Sequence, residues 1–396
     1  MKKVLLGFIT LIMSINLTAG DKLYEKAKEL AQKYIIVDTH IDLPLRLNNG
    51  WEDISKKTAS GEYDYIRVLE GGLNVSFMSI YVPPRLQGTP EAKQYADNLI
   101  SLVEKIAISY PDKFALANSV KDIVGNFEKG LISLPMGMEN GAPIENIDLL
   151  KFYYDKGIRY VTLTHAKWNN ICDSSYDEER KWHGLSPFGK EIIKEMNRIG
   201  MIIDISHVTD ETFYQVIELS KTPVIASHSS CRFYTPGFER NMDDDMIKTL
   251  AKTGGVIQIN FGSDFIDEDY ITRKKEYRAE VENYIEEHHL DKDNPQVEEF
   301  KKNYSEQHPL GYSTVKKVAD HIDHVIKLVG VDYVGLGSDF EGVGDTLPDG
   351  LKDVSMYPNL IYELLKLGYT ENDIQKICSG NLLRVWQQIE DYAAAN

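Results

Sequence analysis

Residues 34–42 read YIIVDTHID, an apolar run that leads into a histidine and a carboxylate. The pattern predicts a short buried strand over 35–38, with His40 and Asp42 at its end. Because side chains two residues apart on a strand point to the same side, these two are expected to reach one ion together. An imidazole and a carboxylate are a ligand set that suits zinc and similar borderline metals.

Metal-type side chains follow other apolar runs in the same way. Glu139 comes after residues 131–138, His207 after 201–206, His228 after 223–227 and Asp339 after 333–338. One such residue would be weak evidence. Several imidazoles and carboxylates in the same structural position predict a hydrolytic metal site.

Eight strand-like runs alternate with amphipathic helical segments, and they lie at 35–38, 75–82, 131–136, 160–163, 201–205, 223–226, 255–261 and 333–337. Short apolar strands separated by helices predict buried parallel strands. Eight such units predict an α/β fold, a (β/α)8 TIM-type barrel with its active site at the carboxyl ends of the strands. A doubly wound open sheet is the alternative, but it would scatter the ligand-bearing strands.

A long polar stretch, residues 264–307, separates the seventh and eighth predicted strands. It is expected to form exposed helices over the barrel mouth, where lids and substrate loops are common. No repeat or low-complexity linker divides the chain. Residues 21–396 are therefore predicted to form a single metallo-hydrolase barrel domain.

The first 20 residues differ from the rest of the chain. Lys2 and Lys3 precede the apolar run VLLGFITLIMSI, and small residues follow it. This layout predicts a secretory signal peptide over 1–20, and hence an exported protein that is periplasmic or secreted. The C-terminal DYAAAN is not the apolar tail that a glycolipid anchor requires, so no membrane anchor is expected.

Composition and charge indicate which kinds of partner and cross-link the chain is expected to lack. The 396 residues are 42% hydrophobic and 27% charged, as in ordinary globular proteins, and the formal net charge is −17. Such a charge repels phosphate backbones, so nucleic-acid partners are not expected. Three widely spaced cysteines, Cys172, Cys231 and Cys378, fit neither a disulfide framework nor a CxxC metal site.

The ligand set suggests two ions rather than one closed structural site. A glutamate bridges two cations through its two oxygens, so one ion is assigned to His40, Asp42 and Glu139. The second is assigned to Glu139, His207 and His228. Two zinc ions would share a hydroxide and polarise a substrate carbonyl.

Other polar residues at the predicted mouth have expected roles. Asp339 is free to accept the hydroxide proton and pass it to a leaving amine. His165, at the end of VTLTH, is the candidate for stabilising an oxyanion. Arg232 and Arg240 both follow His228, and either arginine could bind a substrate carboxylate.

The chain resembles the membrane (renal-type) dipeptidase family, metallopeptidase family M19 of the amidohydrolase-like barrels. The resemblance runs from about residue 35 to 386 and rests on long ordered motifs, which are VDTHIDLP, GMENG, TLTHAKWNNICDSS, GMIIDISHVTDETF, PVIASHSSCR, RNMDDDMIKTLAKTGGVIQINF, HIDHVIKLVGVDYVGLGSDFEGV and GNLLRVW. It implies zinc-dependent hydrolysis of dipeptides, often with tolerance of a D-residue at the C-terminal position.

The resemblance also implies roles for single residues. His40 and Asp42 match the family's first ligand pair, and Glu139 matches its bridging carboxylate. The other matches are His207 and His228 as second-ion ligands, His165 as a substrate contact, Asp339 as the acid/base and Arg240 as the carboxylate-binding arginine. The chain departs from the family at Gly262, where a tyrosine is common. This departure puts one substrate contact in doubt.

Two other functions are weighed against a dipeptidase. Another amidohydrolase of this architecture would act on a lactam, a lactone or an N-acyl amino acid. A non-catalytic solute-binding protein is the least favoured, because it need not keep five ligands and Asp339. The sequence leaves open whether the chain forms a homodimer.

Overall fold

The computed structural model describes residues 19–396. All but the last two residues of the predicted signal peptide therefore lie outside the described part. The strands of the described part are β1 (Ile36–Ile41), β2 (Leu73–Tyr81), β3 (Phe114–Leu116), β4 (Ile132–Leu134), β5 (Met136–Glu139), β6 (Ile158–Thr162), β7 (Ile202–Asp204), β8 (Ile225–Ser229), β9 (Val256–Ile259) and β10 (Val334–Leu336).

Helices fill the connections between the strands. They are α1 (Ala19–Lys33), α2 (Leu43–Asn49), α3 (Tyr65–Gly71), α4 (Pro90–Ser109), α5 (Val120–Glu128), α6 (Ile147–Asp155), α7 (Pro187–Ile199), α8 (Asp210–Leu219), α9 (Asp244–Lys252), α10 (Ser263–Ile266), α11 (Glu268–Glu287), α12 (Pro295–Gln307), α13 (Val315–Val329), α14 (Tyr357–Lys366), α15 (Glu371–Gln375) and α16 (Asn381–Ala395). Short 3₁₀ turns and one π-helical turn, Lys376–Gly380, complete the described helical structure.

Eight strands form a parallel ring in the order β1, β2, β5, β6, β7, β8, β9 and β10. A short parallel bridge between Ile41 and Phe340 joins the two ends of this order. The amide of Asp42 donates to the carbonyl of Phe340 at 2.9 Å, and that of Asp339 donates to the carbonyl of His40 at 3.1 Å. The predicted α/β barrel is confirmed. The contact between β1 and the chain after β10 completes the ring, and it lies at the strand ends that carry site residues.

The predicted third strand, 131–136, was wrong in its bounds. Pro135 has no N–H to donate and separates β4 from β5. The barrel strand is β5, which pairs with both β2 and β6. Strands β3 and β4 branch outward from β2 instead of continuing the ring.

The polar stretch between the last two barrel strands forms three helices, α10, α11 and α12. The two longer helices pack against each other through aromatic rings. The rings of Tyr284 and Phe300 stack at 4.1 Å between centroids, and those of Tyr277 and Tyr304 lie 6.0 Å apart. The predicted helical insertion between the seventh and eighth barrel strands is confirmed.

The barrel interior is apolar below the strand ends. Its core contains alternate residues of several strands and one face of α16, namely Val37, Val75, Phe77, Tyr160, Ile202, Ile225, Val256, Leu382, Val385, Trp386 and Ile389. The ring of Trp386 is fully buried and lies 5.4 Å from that of Phe77. Helix α16 therefore contributes its apolar face to the interior of the barrel.

Two further findings concern membrane-spanning helices and the cysteines. Within residues 19–396, no helix combines the length and the apolar character needed to cross a lipid bilayer. Cys172, Cys231 and Cys378 are all buried, and no two of them form a disulfide in the described chain.

We expect Trp386→Ala to lower the free energy of unfolding by about 3–5 kcal/mol, because it empties the buried indole site at the barrel floor. Trp51→Ala is the matched control, since Trp51 is 39% exposed and the Lys105 ammonium lies over its ring. Chemical denaturation of both variants measures the difference. Equal losses would show that α16 does not stabilise the barrel.

Candidate metal centre

Glu139 lies at the end of β5, buried at the centre of the barrel mouth. Its two oxygens face different imidazoles. Oε1 lies 3.1 Å from Nε2 of His207 and 3.3 Å from Nε2 of His228, whereas Oε2 lies 3.5 Å from Nε2 of His40. The carboxylate therefore stands between two sets of nitrogen atoms.

One set lies on the β1 side. Nε2 of His40 is 3.7 Å from Oδ2 of Asp42, and one ligand-type atom from each of His40, Asp42 and Asp339 lies within 4.8 Å of the others. Nε2 of His40 and Oδ1 of Asp42 are buried and find no hydrogen-bond partner within residues 19–396. Buried polar atoms are normally paired, so these two atoms fit the coordination shell of a cation.

The other set lies at the ends of β7 and β8. The Nε2 atoms of His207 and His228 are 2.9 Å apart. Two nitrogens bound to one tetrahedral zinc at about 2.0–2.1 Å lie roughly 3.3 Å apart, which is similar. Burial, and then the positive charge of neighbouring groups including Arg240, hold the pKa of both histidines well below the usual range. Both imidazoles are thus neutral, as metal ligands must be.

Electrostatics keep Glu139 ionised despite its burial. Burial acts to raise its pKa, but the charges of His40 and His165 and the close imidazoles of His207 and His228 outweigh it. The net effect holds the pKa of Glu139 well below its usual range. An ionised carboxylate offers both oxygens as ligands, one to each side.

Two site residues have left-handed backbone conformations that are uncommon for residues other than glycine. The φ angle is 71° at His207 and 65° at Asp339, and Asn140, next to Glu139, has a φ of 77°. Such conformations persist where the surrounding structure holds them, often at functional sites. They turn the chain sharply at the end of a strand.

Two glycines leave room for the site. A Cβ at Gly137 would come within 2.0 Å of the Tyr160 ring, which occupies the barrel axis beneath His40. A Cβ at Gly342 would come within 2.2 Å of an oxygen of Asp42 and 2.4 Å of an oxygen of Asp339. The space between these carboxylates exists because residue 342 has no side chain.

Asp339 faces the cluster from the end of β10. Its Oδ2 accepts a hydrogen bond of 2.8 Å from the amide of Asn260. Burial and the nearby negative charges of Asp42 and Glu139 raise the pKa of Asp339 to about 8, although the charge of His40 and the bond from Asn260 oppose the shift. The side chain is held in one orientation beside the ligand cluster.

His165 borders the same cluster. Its Nε2 is 3.6 Å from Oε1 of Glu139, and its ring packs edge-on against Tyr81 at 4.8 Å. By distance alone, Glu139, His165 and His207 form a further group able to hold a cation. His165 is the more open of the two histidines, with 22% of its side chain exposed against 5% for His207.

The two candidate arginines differ in their partners. Arg232 donates to both oxygens of Asp210, at 2.7 and 2.5 Å. Arg240 is buried and donates to the hydroxyl of Ser229 at 2.7 Å and to the carbonyl of His228 at 2.8 Å, while its Nε has no partner. Among the described residues, no carboxylate forms an ion pair with Arg240. Its charge is therefore available to an anion, whereas that of Arg232 is already neutralised.

A cavity of about 560 Å³ opens above the cluster. Its walls combine site residues with aromatic and apolar groups, namely Asp42, Leu45, Tyr81, Glu139, His165, Ala166, Tyr176, His207, Asp264, Phe265, Asp339, Gly342 and Val343. Arg240 is not on this surface; its guanidinium carbon lies 5.5 Å from the centre of the Phe265 ring. The volume suits a ligand the size of a dipeptide.

Gly262, where the family resemblance leads us to expect a tyrosine, adjoins this cavity. A Cβ there would lie 2.9 Å from Val343 and 3.0 Å from Phe265. Both of these side chains line the cavity. In this chain the wall is therefore made by Phe265 and Val343 packing over a residue that has no side chain.

Sequence reasoning missed several residues that hold the cluster in position. Tyr160 contacts His40, Ser227 contacts His228, Asp204 contacts Ser227, and Asn260 contacts Asp339. Asp204 and Ser227 do lie next to predicted ligands, in DISH and ASH. The polar residues inside those apolar runs were the available signal. Tyr160 gave none, because an aromatic residue in a strand usually indicates core packing.

Comparison with known proteins identifies dipeptidases that are similar to this chain. A dipeptidase of Schizosaccharomyces pombe is 31% identical over 387 residues, which cover 92% of this chain and 83% of that protein. Dipeptidase tcpJ of Claviceps purpurea is 33% identical, covering 86% of this chain and 72% of that protein. The crystal structure titled "probable dipeptidase PvdM from Pseudomonas aeruginosa" superposes with a TM-score of 0.81 at 26% identity, covering 94% of this chain and 99% of that one.

A match to a whole family extends over nearly the entire described chain. Residues 24–396 match the family described as membrane dipeptidase, peptidase family M19. The match includes all the strands of the barrel and every residue of the cluster around Glu139. This chain therefore belongs to the membrane dipeptidase family, a family of metal-dependent peptidases.

Proposed function

We propose that this protein hydrolyses the peptide bond of dipeptides with two zinc ions, the first held by His40, Asp42 and Glu139. The second is held by Glu139, His207 and His228. The observation that carries the proposal is the division of the Glu139 oxygens, one towards His207 and His228 and the other towards His40. A carboxylate that turns one oxygen to each of two sets of imidazole nitrogens has the geometry of a bridging ligand.

The side chains fit such ions in charge and in chemistry. Three carboxylates, those of Asp42, Glu139 and Asp339, lie in or beside the cluster, and their mutual repulsion falls when cations lie between them. Imidazole and carboxylate ligands suit zinc better than hard cations such as calcium. When bound, two such ions supply Lewis acidity that lowers the pKa of water and polarises a carbonyl oxygen.

The remaining steps belong to side chains of the protein. Asp339, oriented by Asn260, accepts a proton from the attacking water and returns it to the leaving amine. His165 lines the cavity on the other side of Glu139 and stabilises the oxyanion of the tetrahedral intermediate. These two roles place Asp339, the proton acceptor, and His165, the hydrogen-bond donor to the oxyanion, on opposite sides of the scissile bond.

Arg240 is proposed to bind the carboxylate of the substrate. It is buried, carries no carboxylate partner among the described residues and has an unpaired Nε. A dipeptide seated with its C-terminal residue against Phe265 brings its carboxylate towards this arginine. Contact then requires the Phe265 side chain to give way. Tolerance of a C-terminal D-residue is part of the proposal. If the carboxylate of that residue is bound only by Arg240, its side chain can project from the α-carbon in either configuration.

The proposal also assigns the enzyme to an exported compartment. This assignment rests on the charged and apolar pattern of residues 1–20 alone.

We expect purified protein to bind close to two zinc ions per chain, to hydrolyse dipeptides and to lose activity to chelators. Glu139→Gln should lower the affinity for both ions, because an amide bridges cations far less well than a carboxylate. Glu145→Gln is the matched control, since Glu145 follows in the same loop and is exposed. Elemental analysis and a panel of L,L- and L,D-dipeptides, N-acyl amino acids and lactams give the readout.

Two results would contradict this part of the proposal. Full activity with at most one ion per chain would overturn the bridging role of Glu139. Turnover of lactams or N-acyl amino acids without turnover of dipeptides would favour another amidohydrolase reaction.

Asp339→Asn should keep both ions yet lower kcat by roughly 10²–10⁴-fold, the usual effect of losing a general acid/base. Asp345→Asn, in the same loop but exposed, should leave kcat unchanged. Steady-state kinetics on zinc-loaded protein, with metal content measured in parallel, test this. Undiminished turnover by Asp339→Asn with both ions bound would assign the proton transfer to another group.

Arg240→Ala should remove most of the preference for a free dipeptide over its C-terminal amide. Hydrogen bonds to charged groups contribute about 1.5–3 kcal/mol, so the wild-type preference is expected to be roughly ten- to a hundred-fold in kcat/KM. Arg232→Ala is the matched control, because Arg232 is held by Asp210. An unchanged acid-to-amide ratio in Arg240→Ala, with metal content intact, would exclude this arginine.

A further inference from the structure

We propose that the hydroxyl groups of Tyr160 and Ser227 are positioning groups that hold a proton on Nδ1 of His40 and His228. Each histidine then presents a bare Nε2 to the metal centre. The inference rests on the two-ion function proposed above and adds to it the groups that orient one ligand of each ion.

The geometry at Tyr160 allows one arrangement of protons. Its hydroxyl oxygen lies 3.0 Å from the carbonyl oxygen of Thr39 and 2.8 Å from Nδ1 of His40. A carbonyl oxygen only accepts hydrogen bonds, so the single hydroxyl proton of Tyr160 goes to Thr39. Nδ1 of His40 must then be the donor, so in the neutral imidazole that a metal requires, Nε2 keeps its lone pair.

Ser227 gives the same result through a carboxylate. Its hydroxyl lies 2.6 Å from Oδ2 of Asp204 and 2.7 Å from Nδ1 of His228. Oδ1 of Asp204 accepts the backbone amides of Ser206 and Ser227 at 3.0 and 2.8 Å. With the carboxylate as acceptor, the Ser227 proton goes to Asp204, and Nδ1 of His228 is the donor.

The other two histidines of the cluster have no such partner. Nδ1 of His207 and Nδ1 of His165 are buried without a hydrogen bond among the described residues. The orienting hydroxyls therefore act on one histidine on each side of Glu139: His40 beside Asp42, and His228 beside His207. This division predicts that each hydroxyl controls a different ion.

The energetic argument concerns the tautomer. A proton on Nε2 would point at the cation position and would have to be displaced before a cation binds. Hydrogen bonds to the distal nitrogen of ligand histidines typically contribute 10- to 100-fold in metal affinity. Tyr160→Phe should therefore weaken the site of His40 and Asp42, and Ser227→Ala the site of His207 and His228, by roughly that factor.

The variants should fold. In Ser227→Ala, Asp204 keeps two amide donors and the hydroxyl of Thr162. Matched controls are Tyr153→Phe and Ser313→Ala, each of which removes a buried hydroxyl that has no hydrogen-bond partner. Thermal unfolding of the metal-free proteins checks that variants and controls are equally folded.

Calorimetric zinc titration separates the two sites. Asp42→Ala and His207→Ala identify the binding event that belongs to each ion. We expect Tyr160→Phe to weaken the same event as Asp42→Ala, and Ser227→Ala the same event as His207→Ala. The two control variants should titrate like the wild type.

NMR gives a readout that a purely structural role would not change. In zinc-loaded protein labelled with ¹⁵N-histidine, wild type should show two Nδ1–H signals that exchange slowly with water. Tyr160→Phe should lose the slow exchange of one signal and Ser227→Ala that of the other.

Two intact sites and both slow signals in the variants would overturn the inference, as would weakening of the same event by both substitutions. A wild-type protein that binds fewer than two ions would instead overturn the two-ion function on which the inference rests.

Discussion

Burial of the Glu139 carboxylate is the constraint on which the site depends. An ionised carboxylate in a protein interior is costly unless charges or hydrogen bonds compensate it. Here the compensation comes from imidazole nitrogens at 3.1–3.5 Å and from the hydroxyl of Ser79 at 3.4 Å. Asp42 and Asp339 bring two further carboxyl groups close to the same histidine, His40. Such a cluster is suited to hold a metal, and the barrel supplies the rigid frame that fixes its side chains.

That frame connects the site to the hydrophobic core along the barrel axis. Trp386 packs on Phe77, Phe77 on Tyr160, and the Tyr160 hydroxyl contacts His40. The same tyrosine thus belongs to the core by its ring and to the site by its oxygen. Gly137 on the neighbouring strand leaves the space that the ring occupies. Core packing and ligand orientation are therefore not separate properties in this protein.

Two buried carboxylates join the strands that carry the ligands. Oδ1 of Asp38 accepts the amides of His40 and Ser338, which links β1 to the chain after β10. Oδ1 of Asp204 links β7 to β8 in the same way, through the amides of Ser206 and Ser227. At these positions the strands curve away from regular pairing, and side-chain oxygens take over as acceptors. Bonds of this kind fix the spacing between ligands on adjacent strands.

The sequence predicted that imidazoles and carboxylates gather at the ends of the barrel strands, because the apolar runs that form the strands, and the polar residues after them, are local features. It did not predict the bounds of β5, since Pro135 interrupts an otherwise continuous apolar run. It could not distinguish Arg232 from Arg240 by position, because the distinction depends on Asp210, which lies on another helix. The place of Tyr160 depends on the register of β5 against β6, a non-local pairing that no spacing within one segment reveals.

The insertion between β9 and β10 has a consequence for how the enzyme can diverge. Its first residues, Asp264 and Phe265, line the cavity, while the ligand candidates all come from the ends of barrel strands. Part of the cavity wall is therefore encoded in a stretch of the gene that is separate from the ligand candidates, while Tyr81, His165 and Tyr176 form other parts of the wall. Changes in length or composition across residues 263–307 would reshape the wall around Asp264 and Phe265 and leave the ligand candidates unchanged. Selection can act on this part of the cavity without altering the cluster around Glu139.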